Sequence, residues 1–228
     1  MFYRYEFLSS VKLNHINNFY DFCDWVDGSR TGSENKKLKN NWEMDLPNTH
    51  SAWKIIEEDW RTNVTIGHFL TPIKNTLPLF VKYEPGCLYD WHCDNTLMGE
   101  NEDVRSDVST TVFLNNPDEY EGGELEIEIG TQTFDVKLPA GWAFSYPTGT
   151  RHRVREITSG VRKAAIIWSQ SLFRNSVDRE AYGRNRKLSA DLSKCVPKER
   201  ISPAGDMWHI QQAIDDQQMY LLRSKAEL

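Results

Sequence analysis

The chain has 228 residues, 39% of them hydrophobic and 26% charged, the size and make-up of one globular domain with room for an appendage. Eight Trp, nine Tyr and ten Phe carry too much apolar surface for a disordered chain or a linker. Lys+Arg total 27 against 33 Asp+Glu, a net charge of −6, so there is no general pull toward nucleic acid or anionic lipid.

No run approaches the roughly 18 apolar residues of a membrane span, and polar residues enter too early for a secretory leader. Cys23, Cys87, Cys93 and Cys195 contain no Cys-x-x-Cys pair, which argues against a disulfide frame or a structural zinc site and suits a reducing cytoplasm. The expectation is a soluble, cytoplasmic protein with no membrane partner and no nucleic-acid partner, its oligomeric state left open.

In chain order, Ile16, Phe19, Tyr20, Cys23 and Val26 recur at helical spacing behind Asn14, which predicts an amphipathic helix over Asn14–Val26. A polar, Gly-containing loop over 27–33 precedes a second helix over Thr49–Arg61, with Trp53, Ile56 and Trp60 on one face. From Leu79 the pattern changes to short alternating or β-branched runs broken by Gly, Pro, Asn and Asp. The strands predicted are Leu79–Tyr83, Asp107–Leu114, Glu124–Ile129, Thr133–Leu138, Trp142–Tyr146, His152–Ile157 and Arg162–Ser169. So many short strands imply a β-sandwich or barrel. Glu124–Ile129 alternates strictly, acid out and aliphatic in, the mark of a solvated sheet face. Beyond Arg174 the chain turns polar and helix-permissive, over Lys187–Cys195 and Asp206–Lys225. The fold class expected is mainly β with flanking helices (α+β). Its organisation is an N-terminal helical region over 1–76 packed on a β core over 77–174, and a C-terminal helical extension over 175–228.

Of six histidines, His15 and His50 sit in polar surroundings, and His68 and His209 have no carboxylate at ligand spacing. His92 does: Trp91-His92-Cys93-Asp94 sets an imidazole and a carboxylate two residues apart, and positions i and i+2 of an extended backbone project the same way. Such a pair is common by chance and needs a third partner, which His152 at the start of a predicted strand supplies. Two imidazoles and one carboxylate on a rigid β scaffold form a facial triad with open coordination positions, the donor set of non-haem Fe(II) oxygenases.

Arg162 follows His152 by ten residues. If Thr158-Ser159-Gly160 is a three-residue hairpin loop, Val161 pairs with Ile157, Arg162 with Glu156 and Ile166 with His152. His152 and Arg162 then share a face about 13 Å apart along the strand, a gap that suits a five-carbon diacid. A 2-oxo acid would chelate the iron at one end and meet the guanidinium fork at the other, which selects 2-oxoglutarate. Read without the triad, Arg162 is a cross-strand partner of Glu156. Tyr83, nine residues before His92, is a candidate to bond the oxo acid or the substrate. Residues 95–106 have the composition of a lid over the site. Arg151, Arg153 and Arg155 alternate with His152 and Val154 and are expected on the outer face.

These residues resemble the PKHD-type hydroxylases, a branch of the Fe(II)/2-oxoglutarate-dependent oxygenases similar to prolyl 4-hydroxylases. The resemblance rests on Trp25-Val26-Asp27-Gly28, Lys39-Asn40-Asn41, Tyr83, the His92-x-Asp94 element, Arg105 to Leu114, Tyr120 to Leu125, Val136 to Gly141, Tyr146-Pro147 before His152-Arg153-Val154, and Gly160-Val161-Arg162 through Ser171. It implies a double-stranded β-helix (jelly roll) core, metal ligation by His92, Asp94 and His152, and 2-oxoglutarate binding by Arg162. It also implies hydroxylation coupled to decarboxylation of 2-oxoglutarate to succinate and CO2, with O2 consumed and ascorbate as an auxiliary reductant. The substrate it suggests is a peptidyl proline, although a protein, peptide or small molecule all stay open, with Tyr89, Arg105 and Trp168 as substrate-binding candidates. Two rivals stay open: a cupin-like metal enzyme without an oxo acid, which has no need of Arg162, and a non-enzymatic β-sandwich binding module.

Overall fold

Alternation with a period of two decides which face of each strand meets the core. In a computed structural model, which describes residues 2–31, 38–99 and 103–227, strand Arg162–Ser171 turns Ala165 and Ile167 one way, into a cluster with Phe80, Val108, Val112 and Ala143. Its other face turns Arg162, Ile166 and Trp168 toward a cavity. This strand is central in the larger sheet, whose order is Tyr3–Glu6, Trp142–Pro147, Val108–Phe113, Arg162–Ser171, Leu79–Tyr83, Trp42–Met44, Trp25–Asp27, with Pro72–Asn75 pairing the end of the central strand. Helices Ser10–Phe22 and Leu46–Thr62 cover the outer face of that sheet with Ile16, Tyr20, Ala52, Ile56 and Trp60, all nearly or fully buried.

The smaller sheet runs Gln132–Val136, Leu125–Ile129, His152–Val154, Leu88–His92, Lys39–Asn40. The two sheets pack through Phe113 and Tyr146 of the first against Leu125 and Ile127 of the second, and through Val81 and Tyr83 against Val154 and Tyr89. Two antiparallel sheets closed face to face with a cavity between them are the jelly-roll core expected. Among the described residues no helix is long and apolar enough to cross a membrane.

Several elements differ from their expected bounds for physical reasons. The first helix is Ser10–Phe22, not Asn14–Val26, because Ser9 caps it, its side chain accepting from the Lys12 amide, and because Trp25–Asp27 leaves as a strand paired with Trp42–Met44. The first 76 residues are therefore not only helical. They add strands to both sheets, and runs of two to four residues are too short to display alternation. The C-terminal helices are Ser176–Cys195 and Trp208–Lys225. The first begins eleven residues earlier than expected because Asn175 accepts from the amides of Val177 and Asp178.

The hairpin expected over residues 152–169 does not form. Ile157–Gly160 is itself a strand paired with Tyr120–Gly122, and Arg162 pairs with Tyr83, not with Glu156. Ile166 faces Leu79 and Thr111, not His152. Gly160 does take the left-handed conformation, φ +73°, but for a close approach: a Cβ there would lie 2.2 Å from the Glu119 carbonyl oxygen. The segment crosses from the small sheet to the large one, so His152 and Arg162 meet across the barrel and not along one strand pair.

The acidic strand Leu125–Ile129 points Leu125 and Ile127 inward as expected, but Glu126 is not wet. It is 4% exposed, accepting from Arg153 Nε at 2.6 Å and Arg155 Nε at 2.9 Å. Hydrogen bonding from Arg155 holds the Glu126 carboxyl down at about 2, against the upward push of burial and with help from Arg153. Because the folded value lies below the ordinary 4.5, this contribution is complete above pH 4.5 and is lost as pH falls through about 2. Glu126→Gln should cost about 1–3 kcal/mol at neutral pH. Urea unfolding of both proteins should show that gap closing as the pH falls from 4.5 to about 2.

Candidate metal centre

Strand pairing sets His152 directly against His92. Tyr89 shares that inward face although it lies three residues before His92, an odd spacing that regular pleating sends to opposite sides. The ladder shifts here: Tyr89 pairs with Val154 and His92 with His152, so Asp90 and Trp91 together oppose Arg153 alone. The extra residue is a β-bulge, and it turns both rings inward. Tyr89 stacks on His92 at 3.5 Å between centroids and 13° between planes. Outside, Trp91 lies against the guanidinium groups of Arg151 and Arg153, 4.9 and 4.8 Å from its ring centroid.

His92, Asp94 and His152 bring one ligand atom each within 4.8 Å of one another. His92 Nε2 is 3.6 Å and His152 Nε2 3.8 Å from Asp94 Oδ1. Each imidazole is oriented from behind: Nδ1 of His92 lies 2.7 Å from the Asp90 carbonyl oxygen and Nδ1 of His152 lies 2.9 Å from that of Thr150. A carbonyl only accepts, so Nδ1 carries the proton and Nε2 presents its lone pair inward. Burial lowers the pKa of His152, against the pull of Asp94, and so favours the neutral, ligating form. The other oxygen of Asp94 is occupied, accepting from Ser109 Oγ at 2.8 Å and Trp168 Nε1 at 2.9 Å. Burial pushes the Asp94 carboxyl up, but in the acid range where it titrates, hydrogen bonding from a protonated His92, the charge of a protonated His152 and the Trp168 and Ser109 donors outweigh it and hold it at about 2. One anionic oxygen and two imidazole lone pairs facing one point are a fitting donor set for Fe(II).

Arg162 is the second pole of the same cavity, a space of about 680 Å³ that also reaches Tyr83, Tyr89, Tyr146 and Trp168. The arginine is 1% exposed, its Nε has no hydrogen-bond partner, and no carboxylate pairs with it among the described residues. Its guanidinium lies 5.4 Å from the Tyr83 ring centroid and 5.6 Å from that of Phe113. The hydroxyl of Tyr120, also buried, sits beside this guanidinium and makes no well-formed hydrogen bond among the described residues. A cation and a neighbouring hydroxyl buried without an acid are complementary to a carboxylate that the described residues do not provide.

Other expected site residues are placed as follows. Tyr83, Tyr89 and Trp168 line the cavity, Trp168 being tied to Asp94. Arg105 does not reach it, a correction: its guanidinium is consumed by Asp107, Glu227 and the Ser171 carbonyl, which pin the C-terminal segment to the core. In the expected lid, Leu97–Met98 pairs with Val104–Arg105 as a small hairpin, while residues 100–102 lie outside the described residues. Sequence reading did not single out Tyr120, Lys39 or Asn41 as site residues; Tyr120 joins the site through the pairing of Tyr120–Gly122 with Ile157–Gly160, a long-range contact without a local signal.

A jelly roll that gathers two imidazoles and a carboxylate beside a buried, unpaired guanidinium defines a metal-dependent oxygenase scaffold of the oxo-acid type. The comparisons agree. Residues 78–170 match the model of the 2OG-Fe(II) oxygenase superfamily. A PKHD-type hydroxylase of Acinetobacter baumannii (strain AYE) is 37% identical over 178 residues, covering 75% of this chain and 78% of the relative. Among solved structures, a Pseudomonas putida prolyl-4-hydroxylase has a TM-score of 0.55 at 17% identity, covering 75% of this chain and 92% of its own. A Trichoplax adhaerens prolyl hydroxylase, in complex with a peptide fragment of a hypoxia inducible factor oxygen degradation domain, has a TM-score of 0.52 at 18% identity, covering 74% and 82%. The chain belongs to the PKHD-type hydroxylases of the 2OG-Fe(II) oxygenase superfamily, and it is an Fe(II)- and 2-oxoglutarate-dependent oxygenase.

The two donors to Asp94 generate a prediction. Trp168→Phe and Ser109→Ala should each raise the carboxyl pKa of Asp94 from about 2, and the double variant should raise it further, as read by carbon-detected NMR titration of metal-free protein.

Proposed function

We propose that His92, Asp94 and His152 hold Fe(II) and that Arg162, aided by the Tyr120 hydroxyl, receives the far carboxylate of 2-oxoglutarate. The observation that carries this reading is the complete burial of Arg162 without an acid partner. Truncating one partner of a buried ion pair costs about 3–5 kcal/mol, because a lone charge is left out of water. A site that begins with the lone charge gains comparable binding energy when an anion arrives. This argues against the cupin-like alternative, in which Arg162 has no task.

Bound at this site, Fe(II) with 2-oxoglutarate and O2 supplies an oxidant able to hydroxylate an unactivated C–H bond, while the oxo acid becomes succinate and CO2. The residues of the chain set the conditions. Ser109 and Trp168 hold one oxygen of Asp94, which leaves the other aimed at the imidazoles. Tyr89 fixes the plane of His92. Leu79, Val81, Val154 and Ile166 line the cavity with hydrocarbon and exclude water from the reacting centre. Tyr83 lies against the Arg162 guanidinium and holds it toward the cavity.

The substrate we favour is a peptidyl proline. Support comes from the fold shared with two prolyl hydroxylases, one of them in complex with a peptide, and from a cavity much larger than a five-carbon diacid. We assign the protein to the cytoplasm, where its four unpaired thiols stay reduced, and ascorbate to the role of restoring Fe(II) after turnover without substrate.

Succinate formation tests the assignment. Arg162→Ala should raise the KM for 2-oxoglutarate about 100-fold or more, and Asp94→Ala should abolish succinate production even with excess iron. Full turnover by Asp94→Ala contradicts the ligand set, and an unchanged KM in Arg162→Ala removes the arginine from the site.

A further inference from the structure

Behind Tyr89, on the side of the small sheet's edge, the cavity is bordered by a polar group that the metal site does not use. Lys39 pairs with Tyr89 in the ladder, and its ammonium lies 5.2 Å from the Tyr89 ring centroid. That ammonium is saturated. It donates to Glu43 Oε1 at 2.7 Å, to Thr31 Oγ1 at 2.6 Å and to the Thr31 carbonyl. An ammonium has three protons, so none remains for a ligand, and Glu43 neutralises its charge.

Asn41, two residues on, is the opposite case. It is 3% exposed, it lines the cavity, and neither Oδ1 nor Nδ2 has a hydrogen-bond partner among the described residues. Room for its carboxamide is made by Gly28: a Cβ there would lie 2.2 Å from Asn41 Oδ1. Gly28 has no left-handed backbone to justify a glycine, so close approach is the reason for it. A buried carboxamide with both ends unpaired costs free energy that apolar residues would not. Such a group rewards a ligand that offers one donor and one acceptor side by side.

In an extended peptide, the N–H and C=O of one residue point to the same side, as they do in the hydrogen-bonded pairs of an antiparallel ladder. Resting on the reading of the site above, we infer that Asn41 is a substrate-recognition residue whose carboxamide pairs with the backbone N–H and C=O of one residue of an extended, uncharged peptide segment beside the metal. Two consequences are specific. Proline has no N–H, so the residue read by Asn41 is a non-proline neighbour of the hydroxylated one. Lys39 and Glu43 cancel each other, so this part of the cavity selects for a neutral backbone and not for an acidic or basic side chain.

The test uses full-length protein loaded with Mn(II) and 2-oxoglutarate and a library of blocked, proline-centred pentapeptide amides, with binding followed by calorimetry. The tightest peptide is then N-methylated at one position at a time. On native protein, methylation at one non-proline position should weaken binding about tenfold or more, beyond the effect at the other positions. Asn41→Leu should weaken the unmethylated peptide by a similar factor and lose sensitivity to methylation at that same position. Its Tm should equal or exceed the native value, because an unpaired buried carboxamide is replaced by hydrocarbon of similar size. Equal affinity of native and Asn41→Leu protein, equal effects of methylation at every position, or the absence of any bound peptide on protein that does bind 2-oxoglutarate overturns the inference. Failure of native Mn(II) protein to bind 2-oxoglutarate instead strikes the reading of the metal site. The methylation series on native protein needs no variant and decides the question even if Asn41→Leu folds poorly.

Discussion

A guanidinium buried without an anion is the constraint on which the rest of the structure depends. Arg162 is shut inside a barrel at 1% exposure, a placement that costs several kcal/mol when no opposite charge accompanies it. Asp94 shares the cavity and is treated differently: Ser109 and Trp168 donate to it. One charge is compensated by the fold and the other waits for a ligand. The oxo acid and its metal complete a balance that the polypeptide alone leaves open.

A scaffold can hold such an arrangement only if its own packing is secure. The central strand Arg162–Ser171 has neighbours on both sides and buries Ala165 and Ile167 under two helices. Its alternation then forces Arg162, Ile166 and Trp168 to the interior whatever their polarity. On the facing sheet the bulge at Asp90 and Trp91 rotates His92 into line with Tyr89. The ion pairs of Glu126 with Arg153 and Arg155 close the outside of the same sheet. The same backbone that keeps the metal cluster rigid also carries Lys39 and Asn41 to the wall of the cavity.

How much was legible in the residues follows from which interactions are local. The spacing of His92 and Asp94, and the strands expected over Leu79–Tyr83, Glu124–Ile129 and Arg162–Ser169, are patterns within one segment, and the structure keeps them except at Ile129, which is exposed and not inward. The route from His152 to Arg162 was misread because a Gly-containing tripeptide has the chemistry of a hairpin loop, while its true partner, Tyr120–Gly122, lies far off in sequence. Arg105 could not be told from a site residue until Asp107 and Glu227 were seen to consume it. Asn41 and Tyr120 lie in segments that carry the family resemblance, but nothing local marks either as a site residue. Their character is an unpaired polar atom, which exists only once the chain is folded.

The most direct measurement is an anaerobic Fe(II) titration of native protein and Arg162→Ala, with and without 2-oxoglutarate, followed through the weak visible charge-transfer absorption of an Fe(II)–oxo acid chelate. The account predicts that this absorption develops in native protein at about one iron per chain, only when 2-oxoglutarate is present, and that Arg162→Ala needs far more oxo acid to reach it. Absence of the absorption in native protein, or identical 2-oxoglutarate dependence in the two proteins, would contradict it.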